Sequence, residues 1–508
     1  MKKRYFTNFI KNNFRIFDIK KDSTHNALII DRGKPIDILA SCMIMSVINR
    51  KLNLNPLIYS TNTKKSWQMR MYSSIGNYRF IYSRDIFFFL KTIYLLPISF
   101  IYAFITYIKY KNNFLSFINN YNINGVGIGH CIYDEYIRDH QRYKYKNIYN
   151  LNFFNYIFRK NYIFFKMQYI LENNKIKTII CNSTDYASPT ALACRIALVS
   201  KKKVLIADED FNILNDVKEL DNSHYRKNQK HLKILLKNSK KINYKKYFMK
   251  RFFGSLQTVY TGQLDLKLAN KNKIKINKDQ FLKKYIPNHK FKKIAFFAPH
   301  AFTDSVHGFG KEFIFTDTYQ QYLQTMEFIS NYKNKDILWI IKKHPRTKHY
   351  KEEGQIEEVY KKYKKNNIIL LDKNISTLSA INISDLVITG RGSIGLEAAS
   401  LGKRVIVAGY AVYQNLGFTV QPRNTKQYFK EIIKASNYKL LDNNKKKIAR
   451  KYLYFLDHYK SFDLPSNKIW KDQDKLKLNQ IFKRISDFLS RKKYLKNEYY
   501  LKLEKIFD

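Results

Sequence analysis

The chain is short of acid and of cysteine. Against 93 Lys and Arg stand only 40 Asp and Glu, giving a formal net charge of +53 over 508 residues. Its four cysteines, Cys42, Cys131, Cys181 and Cys194, form no CxxC pair and keep no His-rich partner spacing. That argues against a zinc ribbon or a disulfide framework and leads us to expect a reduced, cytosolic setting. The first ten residues run into a Lys-Asn-Asn break too soon for the apolar core of a signal peptide, so no export signal is expected. No zinc-finger spacing, RNP-like aromatic motif or basic-zipper heptad is present, and the basic residues are spread along the chain together with Asn, Ile, Tyr and Phe. Nucleic acid is therefore not expected as a partner despite the charge. Anionic partners remain favoured, phospholipid head groups and nucleotide sugars among them. No Gly-x-Ser-x-Gly elbow or Walker loop supports a hydrolase or kinase, and we find no internal repeat.

Charge-free runs are also scarce. Residues 92–108 form the only serious membrane candidate, 17 residues long and interrupted by Pro97. This is the lower edge of spanning length. Three readings follow, in order: a buried or semi-buried helix of the first domain, an interfacial helix anchored by Arg84, Lys91, Lys109 and Lys111, or a true span.

What is present is concentrated at residues 385–409. Leu386 to Thr389 read as a strand, Gly390 and Gly392 as a tight turn, Ser393 as an N-cap, and the helix from Ile394 stops at Gly402 before a strand from Val405. A glycine turn leading into a helix N-terminus suits a phosphate group, and Glu397 one turn on can accept from ribose hydroxyls. Such turns also recur without ligands. A second element strengthens the reading: residues 336–346 form a strand that ends in Lys342, Lys343, His344, Pro345 and Arg346. Ligands of open α/β sheets bind beyond the carboxyl ends of strands, so the two motifs are expected side by side, although a solvated basic loop is the plainer alternative for the cluster.

The length exceeds one domain, and 45% hydrophobic residues suffice for sizeable cores. Strand signals at 26–31, 56–60, 177–181 and 203–207 alternate with helices at 36–49 and 189–199, and a second series begins at 293, with strands at 337–341, 368–371, 386–389 and 405–408 and a helix at 318–330. This predicts an α/β protein with parallel sheets in two Rossmann-like domains and a helical tail. The expected divisions are a first domain at 1–275, a hinge at 276–291, a nucleotide-binding domain at 292–440 and a basic helical tail at 441–508.

These residues resemble the GT-B class of glycosyltransferases, and among them bacterial capsule and surface-polysaccharide biosynthesis proteins, a group that includes the capsule Kdo transferases. The resemblance rests on His344-Pro345 at a strand end, on residues 392–397 followed by Gly402-Lys403, and on three loops: 298–305 with its Asp-Ser, 409–419 ending in Gly-Phe-Thr, and 128–138 in the first domain. It is good over about 293–430 and patchy before. It implies a transferase moving a sugar from a nucleotide-activated donor, CMP- or another NDP-linked, to a lipid-linked or polymeric capsule or lipopolysaccharide glycan. It also implies a cytoplasmic enzyme, peripheral on the inner membrane. Glycosyl transfer needs a base and a positive environment for the departing phosphate, which GT-B-like sites supply without a metal.

The base is open between Asp304, Asp134 and Asp185, with Glu209 a further candidate. Lys343, His344, Pro345, Arg346, Arg391, Gly392, Ser393, Ile394 and Glu397 are expected at the nucleotide, and Ser305, His307 and Thr419 elsewhere in the cleft. Asp208-Glu209-Asp210 reads as an acidic loop closing a strand in preference to a metal triplet, and His300 and His307 beside Asp304 lack the further ligands a metal site needs, so no cofactor or metal is expected. Two rival functions remain: a CDP-glycerol-type glycerophosphotransferase, and a non-catalytic basic protein binding nucleic acid or membrane.

Overall fold

The computed structural model describes residues 17, 19, 23–31, 35–140, 150–181, 185–207, 214–218, 242–252, 263–287, 291–307, 313–333, 336–458, 477–490 and 504. The acidic triplet at 208–210, the first ten residues and most of the charged stretch 218–250 lie outside them.

Two sheets organise the molecule. The first is built from β1 (Asn26–Ile30), β2 (Asn55–Ser60), β3 (Arg79–Tyr82), β6 (Ile176–Cys181), β7 (Lys203–Ala207) and β8 (Leu214–Val217), while β4 (Asn122–Ile123) and β5 (Val126–Gly127) form a small antiparallel pair. The second comprises β9 (Lys293–Ala298), β10 (Ile337–Ile341), β11 (Ile368–Leu370), β12 (Leu386–Thr389) and β13 (Arg404–Val407). The orders are β3-β2-β1-β6-β7-β8 and β11-β10-β9-β12-β13. All pairings in both are parallel except β7 with β8. In each, the chain runs outward from the first strand, then returns to its other side, which leaves a crevice at the reversal, between β1 and β6 and between β9 and β12.

The strands are continuous apolar runs because helices cover both faces. All five residues of β10 are buried, with Trp339 among the largest fully buried side chains. Helix Pro35–Leu52 is apolar nearly all round and correspondingly sandwiched, burying Ile38, Leu39, Met43, Ile44, Val47 and Ile48.

The segment boundaries differ from the sequence expectation. Helix Tyr244–Phe252 packs in the second core through Tyr247, and Arg251 is wholly buried there between Glu397 (2.8 Å) and Asp457. Within the segment expected as a hinge, Asn277 and Gln280 form a capping box for helix Lys278–Tyr285, and Phe281 and Ile286 anchor it in the core of the second sheet. The basic tail divides. Helix Asn443–His458 packs on the second domain, where Tyr452 donates to the Val412 carbonyl at 2.6 Å, whereas helix Leu478–Ser490 returns to the first. Its stripe of Ile481, Phe482, Ile485, Phe488 and Leu489 buries in the core that holds helix Pro35–Leu52. Charge counts hide such stripes, because one apolar face suffices to dock a helix whose other face is lysine-rich.

Candidate active site

The crevice of the second sheet opens on a cleft of about 380 Å³, which the first domain closes from the opposite side with Asp185. Each wall follows from local sequence. β12 ends at Thr389, and helix Ser393–Ser400 begins four residues later, capped by Gly392 with no side-chain bond. Ser393 is thus the first helical residue and not the N-cap, its hydroxyl donating instead to Glu397 at 3.3 Å. The helix N-terminus consequently keeps its first amides and its dipole for whatever occupies the cleft, which Gly392, Ser393 and Ile394 line. The glycines serve space, not backbone sign. Only Gly402 of this segment has positive φ, at +89°, where the helix ends, while a Cβ on Gly395 would meet the Tyr413 hydroxyl at 2.2 Å. That hydroxyl donates to the Gly392 carbonyl at 2.7 Å and pins the turn.

Beside the turn, β9 ends in Pro299 and His300, and β10 in Lys342, Lys343, His344 and Pro345, all lining the cleft. The rings of His300 and His344 stack with centroids 5.9 Å apart. His344 Nδ1 accepts from the Arg346 amide at 3.3 Å, which leaves Nε2 to carry the ring proton. Burial, reinforced by His300, lowers its pKa to about 3, so at neutral pH it is a neutral donor. Burial and the neighbouring Lys273 bring Lys342 down to about 8. Lys343 reaches the cleft rim but pairs with Glu357 in the first turn of the next helix, and Arg346 pairs with Asp265 at 3.3 Å. Arg346 is itself absent from the cleft lining, although its partner Asp265 belongs to it.

The three candidate bases separate. Asp134, on helix Gly129–His140, accepts from the His307 backbone amide at 2.7 Å and faces His307 Nδ1 at 2.6 Å, both side chains being buried. It joins the two domains and lines no part of the cleft, as does the neighbouring bond from Tyr133 to Asp317. Asp134 and His307, expected in the cleft, thus stand at the contact between the domains and outside the cleft lining. Asp304 lines the cleft among His300, Arg391, His344 and Arg138, the last at 3.9 Å. Burial pushes its carboxyl up, yet the surrounding cations hold it below the ordinary value. His300 is the largest of these lowering influences, followed by the guanidinium group of Arg391. A carboxylate so stabilised is a poor proton acceptor.

Asp185 differs. It stands in the loop after β6, where Glu135 accepts from the Ala187 amide at 2.8 Å and is itself held by Lys160 at 2.6 Å, and Ser188 caps helix Pro189–Val199. Burial raises its pKa to about 7, with Arg391 pulling the other way and Asp134 and Asp304 adding to the rise. Ser305 sits in the cleft wall with φ at +33° and a buried hydroxyl that has no hydrogen-bond partner among the described residues. Strain together with an unsatisfied buried hydroxyl is a ligand-site signature.

Glu397 lines the cleft and is buried, anchored by Arg251. Thr419 accepts from Gln421 at 2.9 Å and lies off the cleft. Sequence reasoning passed over His300, Asp265 and Tyr350 as cleft residues. His300 was findable, since it follows the first strand of the second series at the crevice; Asp265 and Tyr350 carried no signal. No group of His, Cys, Asp and Glu among the described residues could hold a metal ion.

Residues 213–454 match the family model of capsule polysaccharide biosynthesis proteins, and the resemblance read from residues 293–430 falls within that span. No curated protein matches the chain in sequence. Among solved structures, the Thermosulfurimonas dismutans KpsC β-Kdo 2,4-transferase is similar at 13% identity over 55% of this chain and 79% of its own, TM-score 0.31. S. aureus MnaA with UDP is similar at 11% identity over 84% and 91%, TM-score 0.28. Anabaena HepE with UDP and glucose is similar at 12% identity over 89% and 100%, TM-score 0.28.

Proposed function

We propose that this chain is a metal-independent glycosyltransferase of surface-polysaccharide synthesis, moving a sugar from a nucleotide-linked donor to a hydroxyl of a capsule glycan. One observation carries the reading: a helix N-terminus with His300, His344, Lys342 and Arg391 faces, across the cleft, a carboxyl whose pKa is about 7. In this reading the donor phosphate meets the amides of Ser393 and Ile394, with His344 Nε2 donating to it. Glu397 and Ser305 address the ribose and sugar hydroxyls.

Asp185 takes the proton of the acceptor hydroxyl as its oxygen bonds the anomeric carbon. The bond from that carbon to the phosphate oxygen breaks with its electron pair leaving on the nucleotide. Preorganised donors receive that charge without reorganising, which is where such sites gain most of their rate. A base near pKa 7 is matched to neutral pH, whereas Asp304, held anionic, orients the neighbouring cations.

A thermal-shift series with CMP, CDP, UDP and GDP, each with and without EDTA, tests the reading. One nucleotide should raise the melting temperature, unchanged by chelation, and the corresponding nucleotide sugar should then be consumed in EDTA. No shift with any nucleotide, or turnover abolished by chelation, overturns it. Consumption of CDP-glycerol but of no nucleotide sugar would assign the glycerophosphotransferase chemistry instead.

A further inference from the structure

Far from the cleft, helices Ile86–Thr92 and Leu95–Lys109 are built inside out. Helix Leu95–Lys109 buries Leu95 and the small Ser99, Ala103 and Thr106, while Phe100, Ile101, Phe104, Ile105 and Ile108 stand between 51% and 57% exposed and Phe87 on its neighbour reaches 72%. The outward residues fall at i, i+1, i+4, i+5 and i+8, one continuous face. The inward hydroxyls are satisfied on their own helix, Ser99 by the Leu95 carbonyl and Thr106 by that of Tyr102, both at 2.6 Å. Tyr102 packs edge-on against Phe165 at 5.2 Å, which ties the other side of the helix to helix Leu151–Asn173. Small residues within and large apolar residues without reverse the pattern of a helix in water.

We infer that this face is a membrane-docking surface that seats in the interface of an anionic lipid bilayer. Charge selects that occupant. Residues 86–133 contain no Asp or Glu, and Lys91, Lys109 and Lys111 flank the face. The nearest acid, Asp85, is tied up as the cap of helix Ile86–Thr92, accepting from the Phe87 amide at 2.8 Å. Length selects the mode. At about 1.5 Å per residue the 15-residue helix is roughly 22 Å long, short of a hydrocarbon core of about 30 Å. Its neighbour is bent from it by 52°, and no single helix among the described residues is long and apolar enough to cross. A helix packed along one side and apolar along the other lies in the membrane plane. The inference stands independently of the chemistry in the cleft.

The test is flotation of the full-length protein with vesicles of phosphatidylcholine alone and of phosphatidylcholine with phosphatidylglycerol. The wild type should float with both and more strongly with the anionic set. The double substitution Phe104→Ser and Ile105→Ser should lower partitioning about tenfold or more at an unchanged melting temperature, because both side chains are exposed. Lys109→Gln with Lys111→Gln should weaken only the preference for anionic vesicles. Independently, Phe104→Trp, which keeps the face apolar, should be quenched by brominated acyl chains. Equal flotation of wild type and the double variant, or no flotation and no quenching, overturns the proposal. A dimer lost in that variant without any flotation would assign the face to a second copy of this chain.

Discussion

The two sheets run the same way from strand to strand and do opposite things at the reversal. In the second, the crevice is walled by His300, Lys342, His344, Arg391 and an uncapped helix N-terminus; in the first, the loop after the fourth strand brings a carboxyl, Asp185. Topology therefore fixes where a ligand can sit and leaves its charge to a few loop residues. The same crevice receives an anion when lysine, histidine and helix amides end its strands, and presents a proton acceptor when a buried carboxyl does.

The contrast can be broken most severely within the second half, where a buried ion triad stands behind the cleft. Arg251→Leu leaves Glu397 and Asp457 buried without their cation, and should cost about 3–5 kcal/mol, read as a large fall in urea midpoint. An unchanged midpoint would show that the triad is not formed.

Next is Asp185→Asn, which should lower turnover about 10²–10⁴-fold with nucleotide binding retained, and remove the limb of the rate profile that falls below about pH 7. Its effect on stability has the opposite sign. A carboxyl whose folded pKa is raised binds more protons when folded, so stability falls as pH rises from the ordinary carboxylate range to about 7 and stays low above it. The Asn variant should therefore melt higher than wild type at pH 8 and show no such difference at pH 4. A lower melting point at pH 8 argues against a strained Asp185.

His344→Ala probes the other wall. Losing a hydrogen bond to a charged phosphate costs about 1.5–3 kcal/mol, roughly 10- to 150-fold in nucleotide affinity. The free protein should melt nearly as before. Equal affinity in calorimetry would remove His344 from the site.

The smallest effect belongs to Ser305→Ala. The buried hydroxyl has no partner among the described residues, so its removal should change stability by less than about 1 kcal/mol, and upward if at all. Donor-sugar affinity should fall severalfold in the same variant. A clear loss of stability would mean that the hydroxyl is already satisfied.

Strand runs, the glycine turn and the cluster after β10 were legible in the order of residues, because parallel strands need continuous apolar runs and a helix start needs a break before it. His344, Gly392, Ser393, Ile394 and Asp304 accordingly meet in one cleft. Only the tertiary structure separates the surroundings of Asp134, Asp185 and Asp304, since a carboxyl's pKa depends on what packs around it, and His307 comes to Asp134 from 173 positions away. Packing alone likewise decided that Glu397 has Arg251 behind it, that the last amphipathic helix returns to the first domain, and that residues 100–108 turn their large side chains outward. Local sequence specifies the element and its apolar face; which surface that face meets is a property of the assembled chain, where burial and charge are shared between residues distant in sequence.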